Sequence, residues 1–128
     1  MPVKEWVAQH DDARPGGRVL FMTTGIHLAP MVSELPYAAS KAAVQQLTET
    51  LAIHLAPRQI TVNSINPGPT DTGWASSEIY ENVLRRMPFG SWGQPRDVAQ
   101  LIGWLISDER RCVTGQTINA EGGFNRWA

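Results

Sequence analysis

The stretch Pro36-Tyr-Ala-Ala-Ser-Lys41 opens a long apolar segment that ends before Pro57. Proline suits the first turn of a helix, so the stretch predicts a helix over residues 36–56. Tyr37 and Lys41 are four residues apart and therefore share one face of that helix. An ammonium group held beside a phenol favours the ionised phenol and prepares it for proton transfer at neutral pH. The same spacing also fits an ordinary solvent-exposed pair, and the spacing alone does not choose between the two interpretations.

Two short apolar runs flank this helix. The first is Gly17-Arg-Val-Leu-Phe-Met-Thr-Thr-Gly25, which predicts a strand over residues 18–22 followed by hydroxyl groups. The second covers Ile60–Asn66 and runs into the turn Pro67-Gly-Pro-Thr-Asp-Thr72. Within this second strand, Asn63 is predicted to satisfy buried backbone groups. Strands that alternate with helices indicate parallel pairing and right-handed crossovers, so the sequence predicts an α/β fold.

The rest of the chain continues this alternation. A short helix is predicted from Ser76 or Ser77 to Arg86, a weak helical pattern covers residues 2–13, and a third strand covers residues 116–120. Another helix starts at Pro95, and its predicted inward face carries Val98, Leu101, Ile102, Leu105 and Ile106. The irregular stretch over residues 72–93 holds four aromatic residues that either line an acyl or ring-shaped pocket or belong to the core: Trp74, Tyr80, Phe89 and Trp92.

The composition is that of an ordinary globular domain. Of the 128 residues, 42% are apolar and 18% are charged, and the formal net charge is −1. The sequence shows no basic stripe, no signal peptide and no uninterrupted apolar run of the roughly twenty residues that a membrane span needs. We therefore expect neither a nucleic-acid partner nor a membrane span, and we expect a cytoplasmic protein. The three histidines are scattered, so no metal site is predicted. The single cysteine, Cys112, has no evident activating base and is interpreted as structural.

The two strands, the Tyr37 and Lys41 pair and the Pro-Gly-x-x-x-Thr turn together resemble the short-chain dehydrogenase/reductase family. Residues 29–37, 63–68 and 114–123 are most similar to bacterial members of the 3-oxoacyl reductase type. The resemblance extends over about residues 17–124. It implies a single truncated domain over residues 1–128, built from the last three strands and their helices of a Rossmann-like, doubly wound parallel sheet.

The resemblance implies an NAD(P)-dependent oxidoreductase that interconverts a secondary alcohol and a ketone. Tyr37 would be the general acid in the direction of reduction and the general base in the direction of oxidation. Lys41 would assist Tyr37 and hold the nicotinamide ribose through its rotatable donors. Thr24 stands where the family usually has serine. Its hydroxyl would hydrogen-bond the substrate oxygen, while its additional methyl group narrows the space.

The sequence matches only part of the cofactor site found in the family. Pro67 and Gly68 would support the nicotinamide of NAD or NADP, Thr72 would bind its carboxamide, and Tyr37 and Lys41 would contact it as well. The glycine-rich Thr-Gly-x-x-x-Gly-x-Gly turn, which holds the pyrophosphate in the family, is not found in the sequence. Neither is the residue that selects between NAD and NADP. The chain is therefore expected to bind the cofactor weakly or not at all.

Two further interpretations stay open. The chain could be a noncatalytic truncated remnant that only self-associates, through the helix over residues 36–56 and the last strand. Epimerases or dehydratases related to the family use the same tyrosine and lysine, and nothing in the sequence favours them. In each case the wide apolar surface of the long helix predicts a homo-oligomer, or association with an amino-terminal half of the family fold. A small alcohol or ketone is the expected substrate.

Overall fold

The computed structural model describes residues 4, 5, 8 and 16–127. Along residues 16–127, three strands alternate with three α-helices: β1 (Gly17–Met22), α1 (Leu35–Leu55), β2 (Ile60–Asn66), α2 (Ser77–Leu84), α3 (Pro95–Leu105) and β3 (Thr117–Asn119). Short 3₁₀ turns cover Gly25–His27, Ala56–Arg58 and Asp108–Arg110. Residues 4, 5 and 8 are helical, and the rest of the weak helical pattern predicted over residues 2–13 lies outside the described residues.

The three strands form one parallel sheet in the order β1-β2-β3. Gly17 pairs with Ile60 at one end of the first ladder, and Ile65 pairs with Ile118 in the second. All seven residues of β2 are buried. A strand with neighbours on both edges and helices on both faces needs apolar side chains or polar ones with internal partners, which is what the sequence of β2 supplies. The predicted α/β fold with a parallel sheet is confirmed.

Helices cover both faces of this sheet. On one face, residues of α1 pack against β1 and β2, and the buried residues of this cluster are Val19, Ala52, Leu55, Ile60 and Val62. On the other face, Val98 and Leu105 of α3 pack against Ile65 of β2. Because side chains alternate along a strand, Val62 and Ile65 point to opposite faces and supply both clusters. The sheet is therefore doubly wound, as the resemblance implied.

Asn63 shows how a polar side chain is accommodated in the central strand. Its Nδ2 donates a hydrogen bond to the carbonyl of Val113 at 2.9 Å, and its Oδ1 accepts one from the amide of Gln116 at 3.1 Å. The prediction that Asn63 satisfies buried backbone groups is confirmed. These bonds attach the segment before β3 to β2 and so help to fix the position of the third strand.

Several predicted boundaries need correction. The third strand covers three residues instead of five, and the short helix ends at Leu84 instead of Arg86. Ile106 was predicted on the inward face of α3, but it lies at the C-cap and is exposed. The apolar spacing continues through Ile106, whereas the helix ends at Leu105, so the chain turns Ile106 away from the sheet.

The side of α1 that faces away from the sheet carries exposed apolar residues. Leu47 and Ile53 are both exposed, and Ile53 retains 78% of its accessible surface. This is the wide apolar surface predicted from the sequence, and only the Ala52 and Leu55 side of it packs on the sheet. In the part of the chain that the structure describes, no helix has the length and apolar character needed to cross a membrane.

Candidate active site

The carboxyl ends of β1 and β2 border a cleft of about 480 Å³. Thr23 continues the pairing beyond β1, since its amide donates to the carbonyl of Ile65 at 2.8 Å. In parallel α/β sheets, ligands bind where the carboxyl ends of the strands meet. Five residues that the sequence analysis assigned to a site line this cleft: Thr24, Tyr37, Pro67, Gly68 and Thr72.

Lys41 is held against Tyr37 at the start of α1. The Lys41 Nζ atom lies 5.7 Å from the centroid of the Tyr37 ring and donates a hydrogen bond to the carbonyl of Met22 at 2.9 Å. Met22 is the last residue of β1, so the end of the strand anchors the ammonium group. The expectation that the two side chains share one helix face is confirmed. Lys41 has three N–H donors, and the carbonyl of Met22 can use only one of them.

The Thr24 hydroxyl has a weak partner in the cleft. Its Oγ1 lies 3.8 Å from the sulfur of Met31, which also lines the cleft. A thioether is a poor hydrogen-bond acceptor. A ligand oxygen could therefore replace the sulfur as the acceptor of the Thr24 hydroxyl at little cost in free energy. Thr24 is extended and precedes the 3₁₀ turn of Gly25–His27, which sets the hydroxyl at the end of β1.

The turn after β2 requires glycine at position 68. Gly68 has φ +64°, a left-handed conformation, and a Cβ atom added there would lie 2.8 Å from the Cα of Glu121. Its amide donates to Oδ1 of Asn66 at 3.1 Å. The Pro67 and Gly68 turn is thus pressed against the segment that follows β3, which fixes the backbone on this side of the cleft.

The segment after β3 contributes residues that the sequence analysis missed. Glu121 accepts a hydrogen bond from Nδ2 of Asn66 at 2.6 Å and forms an ion pair with Arg126, which lines the cleft. A Cβ atom added to Gly25 would collide with the Arg126 guanidinium, so this glycine leaves the space that the arginine occupies. The carbonyl of Asn125 accepts a hydrogen bond from Nε of Arg86 at 2.9 Å. No local pattern links these residues to their partners Gly25, Asn66 and Arg86, because the partners lie much earlier in the sequence.

Aromatic residues border the cleft on the side of α2. Trp92 is 2% exposed, donates from its indole nitrogen to the carbonyl of Tyr80 at 3.1 Å, and stacks on the Tyr80 ring at 4.9 Å between centroids. Trp74 meets Trp92 edge to face at 6.0 Å. Both tryptophans line the cleft, whereas Phe89 lines a neighbouring cavity. Trp74 therefore agrees with the pocket interpretation, and Trp92 is buried and also lines the cleft. Phe89 is 79% exposed and belongs neither to the core nor to this cleft.

Comparison with known proteins places the chain among oxidoreductases. The family described as enoyl-(acyl carrier protein) reductase matches residues 7–125. The uncharacterized oxidoreductase YjdA of Bacillus subtilis is 47% identical over 110 residues, which is 86% of this chain and 44% of that protein. The 3-oxoacyl-[acyl-carrier-protein] reductase FabG of Thermotoga maritima is 36% identical over 125 residues, which is 95% of this chain and 51% of that protein.

A solved structure gives the same result. The angucycline C-6 ketoreductase LanV with bound NADP superposes with a TM-score of 0.85 at 32% identity, over 94% of this chain and 47% of that one. The chain belongs to the short-chain dehydrogenase/reductase family of oxidoreductases. It spans about half the length of the curated relatives it matches.

Proposed function

We propose that the chain carries the catalytic and substrate-binding half of an NAD(P)-dependent oxidoreductase that interconverts a secondary alcohol and a ketone and is related to the 3-oxoacyl reductases. The observation that supports this most strongly is the cleft itself. It gathers Tyr37, Thr24 and the Pro67 and Gly68 turn, with Lys41 held against Tyr37. We propose catalytic roles for Tyr37, Lys41 and Thr24.

Reduction of a ketone needs a proton donor at the carbonyl oxygen. Tyr37 would give its phenolic proton to that oxygen, and Thr24 would donate a hydrogen bond to the same atom and orient it. Lys41 would stabilise negative charge on the phenol oxygen as the proton leaves. In the direction of oxidation, the same groups would act in reverse, with Tyr37 as the base.

The polar groups around the cleft fit the nicotinamide end of a dinucleotide. Lys41 retains donors beyond the one bound to Met22, which suits ribose hydroxyls. Thr72 lines the cleft, and its hydroxyl would bind the carboxamide. When bound, the nicotinamide would supply or accept the hydride. Tyr37, Lys41, Pro67, Gly68 and Thr72 are our proposed cofactor contacts.

We propose, as partners, a second copy of the chain or a chain that supplies the amino-terminal half of the family fold. Among the described residues, β1 pairs with β2 alone, so its other edge is available to a further strand. The exposed Leu47 and Ile53 on the outer side of α1 offer a surface for a second copy. The same features support the alternative of a noncatalytic self-associating module.

A hybrid enzyme tests the proposed activity. The amino-terminal half of the YjdA relative is fused before Gly16, and oxidation of NADPH and NADH is followed with a panel of ketones. Tyr37→Phe keeps the ring but removes the transferable proton, so we expect turnover to fall by at least about a hundredfold. Tyr80→Phe is the matched control, because Tyr80 stacks on Trp92 and does not line the cleft. An active hybrid whose Tyr37→Phe variant turns over normally would refute the assignment.

A further inference from the structure

The aromatic wall of the cleft, formed by Trp74 and Trp92 with Tyr80 stacked behind Trp92, is fixed before any ligand arrives. Trp92 is immobilised by its hydrogen bond to the carbonyl of Tyr80 and by a stack whose planes differ by 5°. Trp74 is anchored at one edge, where its indole nitrogen donates to the carbonyl of Thr70 at 3.2 Å. The rest of the Trp74 side chain is open, since the residue is 63% exposed. An anchored but exposed indole offers a ring surface to a ligand at a small cost in conformational entropy.

The charges in the cleft do not favour an anionic ligand. Among the described residues, its charged lining residues are Glu34 and Arg126, and the ammonium of Lys41 lies beside it, bound to the carbonyl of Met22. Arg126 is already paired with Glu121, so its positive charge is balanced by the protein. Glu34 is exposed and would repel a carboxylate or a phosphate that entered the cleft. Next to the aromatic wall, Met31 and Val83 add apolar surface. The lining therefore suits a ligand that is apolar and uncharged around its carbonyl group.

We infer that the substrate of this cleft is an uncharged ketone that carries an aromatic ring, with the ring packed on Trp74 and the carbonyl directed to Thr24 and Tyr37. This inference rests on the proposed function for the position of the carbonyl group. The volume of about 480 Å³ falls in the range of small-molecule sites, and a fused-ring ketone would share it with the nicotinamide. A linear acyl chain would leave the face of the indole without an aromatic partner and would gain only from apolar burial.

Calorimetric titration of the 128-residue chain with matched probes tests this inference. 1-Tetralone and 1-decalone share a carbon skeleton, but only 1-tetralone has an aromatic ring. 6-Carboxy-1-tetralone keeps that ring and adds one negative charge. We expect 1-tetralone to bind about fivefold more tightly than either analogue. Trp74→Ala should weaken 1-tetralone binding by about tenfold, and Trp74→Phe should restore part of the loss. Trp104→Ala should leave binding unchanged, because Trp104 packs on Arg110 away from the cleft.

Several outcomes would overturn the inference. They are equal binding of 1-decalone, tighter binding of the linear thioester acetoacetyl-N-acetylcysteamine, unchanged affinity in Trp74→Ala, and the absence of 1-tetralone binding at millimolar concentration. The titration requires no proton transfer, so it reports on binding of the ketone independently of turnover. Intact binding in a hybrid that reduces no ketone would refute the proposed function alone. Reduction of linear ketones without 1-tetralone binding would refute the substrate class alone.

Discussion

Replacement of Glu121 by alanine should cost more stability than its position after the last strand suggests. The Glu121 side chain is 9% exposed and that of its partner Arg126 is 19% exposed. The variant loses the 2.6 Å hydrogen bond from Asn66, a charge-assisted bond worth about 1.5–3 kcal/mol. It also leaves a largely buried guanidinium without its carboxylate. With the lost hydrogen bond included, breaking a buried pair costs about 3–5 kcal/mol, and the access of water to Arg126 places this cost near the lower end.

We therefore expect Glu121→Ala to lower the free energy of unfolding by about 3 kcal/mol, with a fall in Tm of roughly 12 °C for a chain of this length. Urea denaturation and thermal melting followed by circular dichroism measure both quantities. Glu109→Ala is the matched control, because Glu109 pairs with Arg110 at 3.4 Å while its side chain is 79% exposed, and its loss should stay below about 0.5 kcal/mol. Equal stability of the Glu121→Ala variant and the unchanged chain would refute the structural role given to this carboxylate.

Three further predictions concern the cofactor, the turn and the association of the chain. NADH and NADPH should each bind the isolated chain with a Kd weaker than roughly 10 µM, since the pyrophosphate turn is not in the sequence; tighter binding by calorimetry would contradict this. Gly68→Ala should destabilise the chain by more than about 1 kcal/mol, because Gly68 has a φ of +64°. Gly103→Ala should stabilise it by up to about 1 kcal/mol, because Gly103 lies in open space on α3. Equal denaturation midpoints of the two variants would contradict this. Light scattering at tens of micromolar should show a dimer or larger species that Ile53→Lys shifts towards the monomer, and a monomeric unchanged chain would exclude this interface.

The elements that the sequence predicted best are those with strong local signals. The strand Ile60–Asn66 is bounded by a turn on each side and agrees with its prediction at both ends. The long helix begins and ends one residue before its predicted bounds. The agreement is close because Pro36 fixes the first turn of the helix and Pro57 fixes its end. The third strand is shorter than predicted, since its length depends on pairing with β2 and on no signal of its own.

The candidate site divides in the same way. The proximity of Tyr37 and Lys41 could be predicted because a spacing of four residues places two side chains on the same face of a helix. The structure confirms that geometry. Glu121 and Arg126 could not be predicted in this way, because their positions depend on how the chain returns to the cleft after β3. The exposure of Ile106 was missed for a related reason, since the apolar spacing persists beyond the residue at which α3 ends.

The contacts of Glu121 also determine how the chain can be recombined with other proteins. Gly25, Gly68, Glu121 and Arg126 fit against one another, and all four belong to the same continuous piece of sequence. In a hybrid protein whose junction lies before Gly16, all of these contacts come from one parent sequence. A junction placed between β2 and β3 would join a glycine turn from one parent to an acidic side chain from another, in a space that would not hold even one additional Cβ atom on the turn. This half of the fold is therefore best exchanged between relatives as one module.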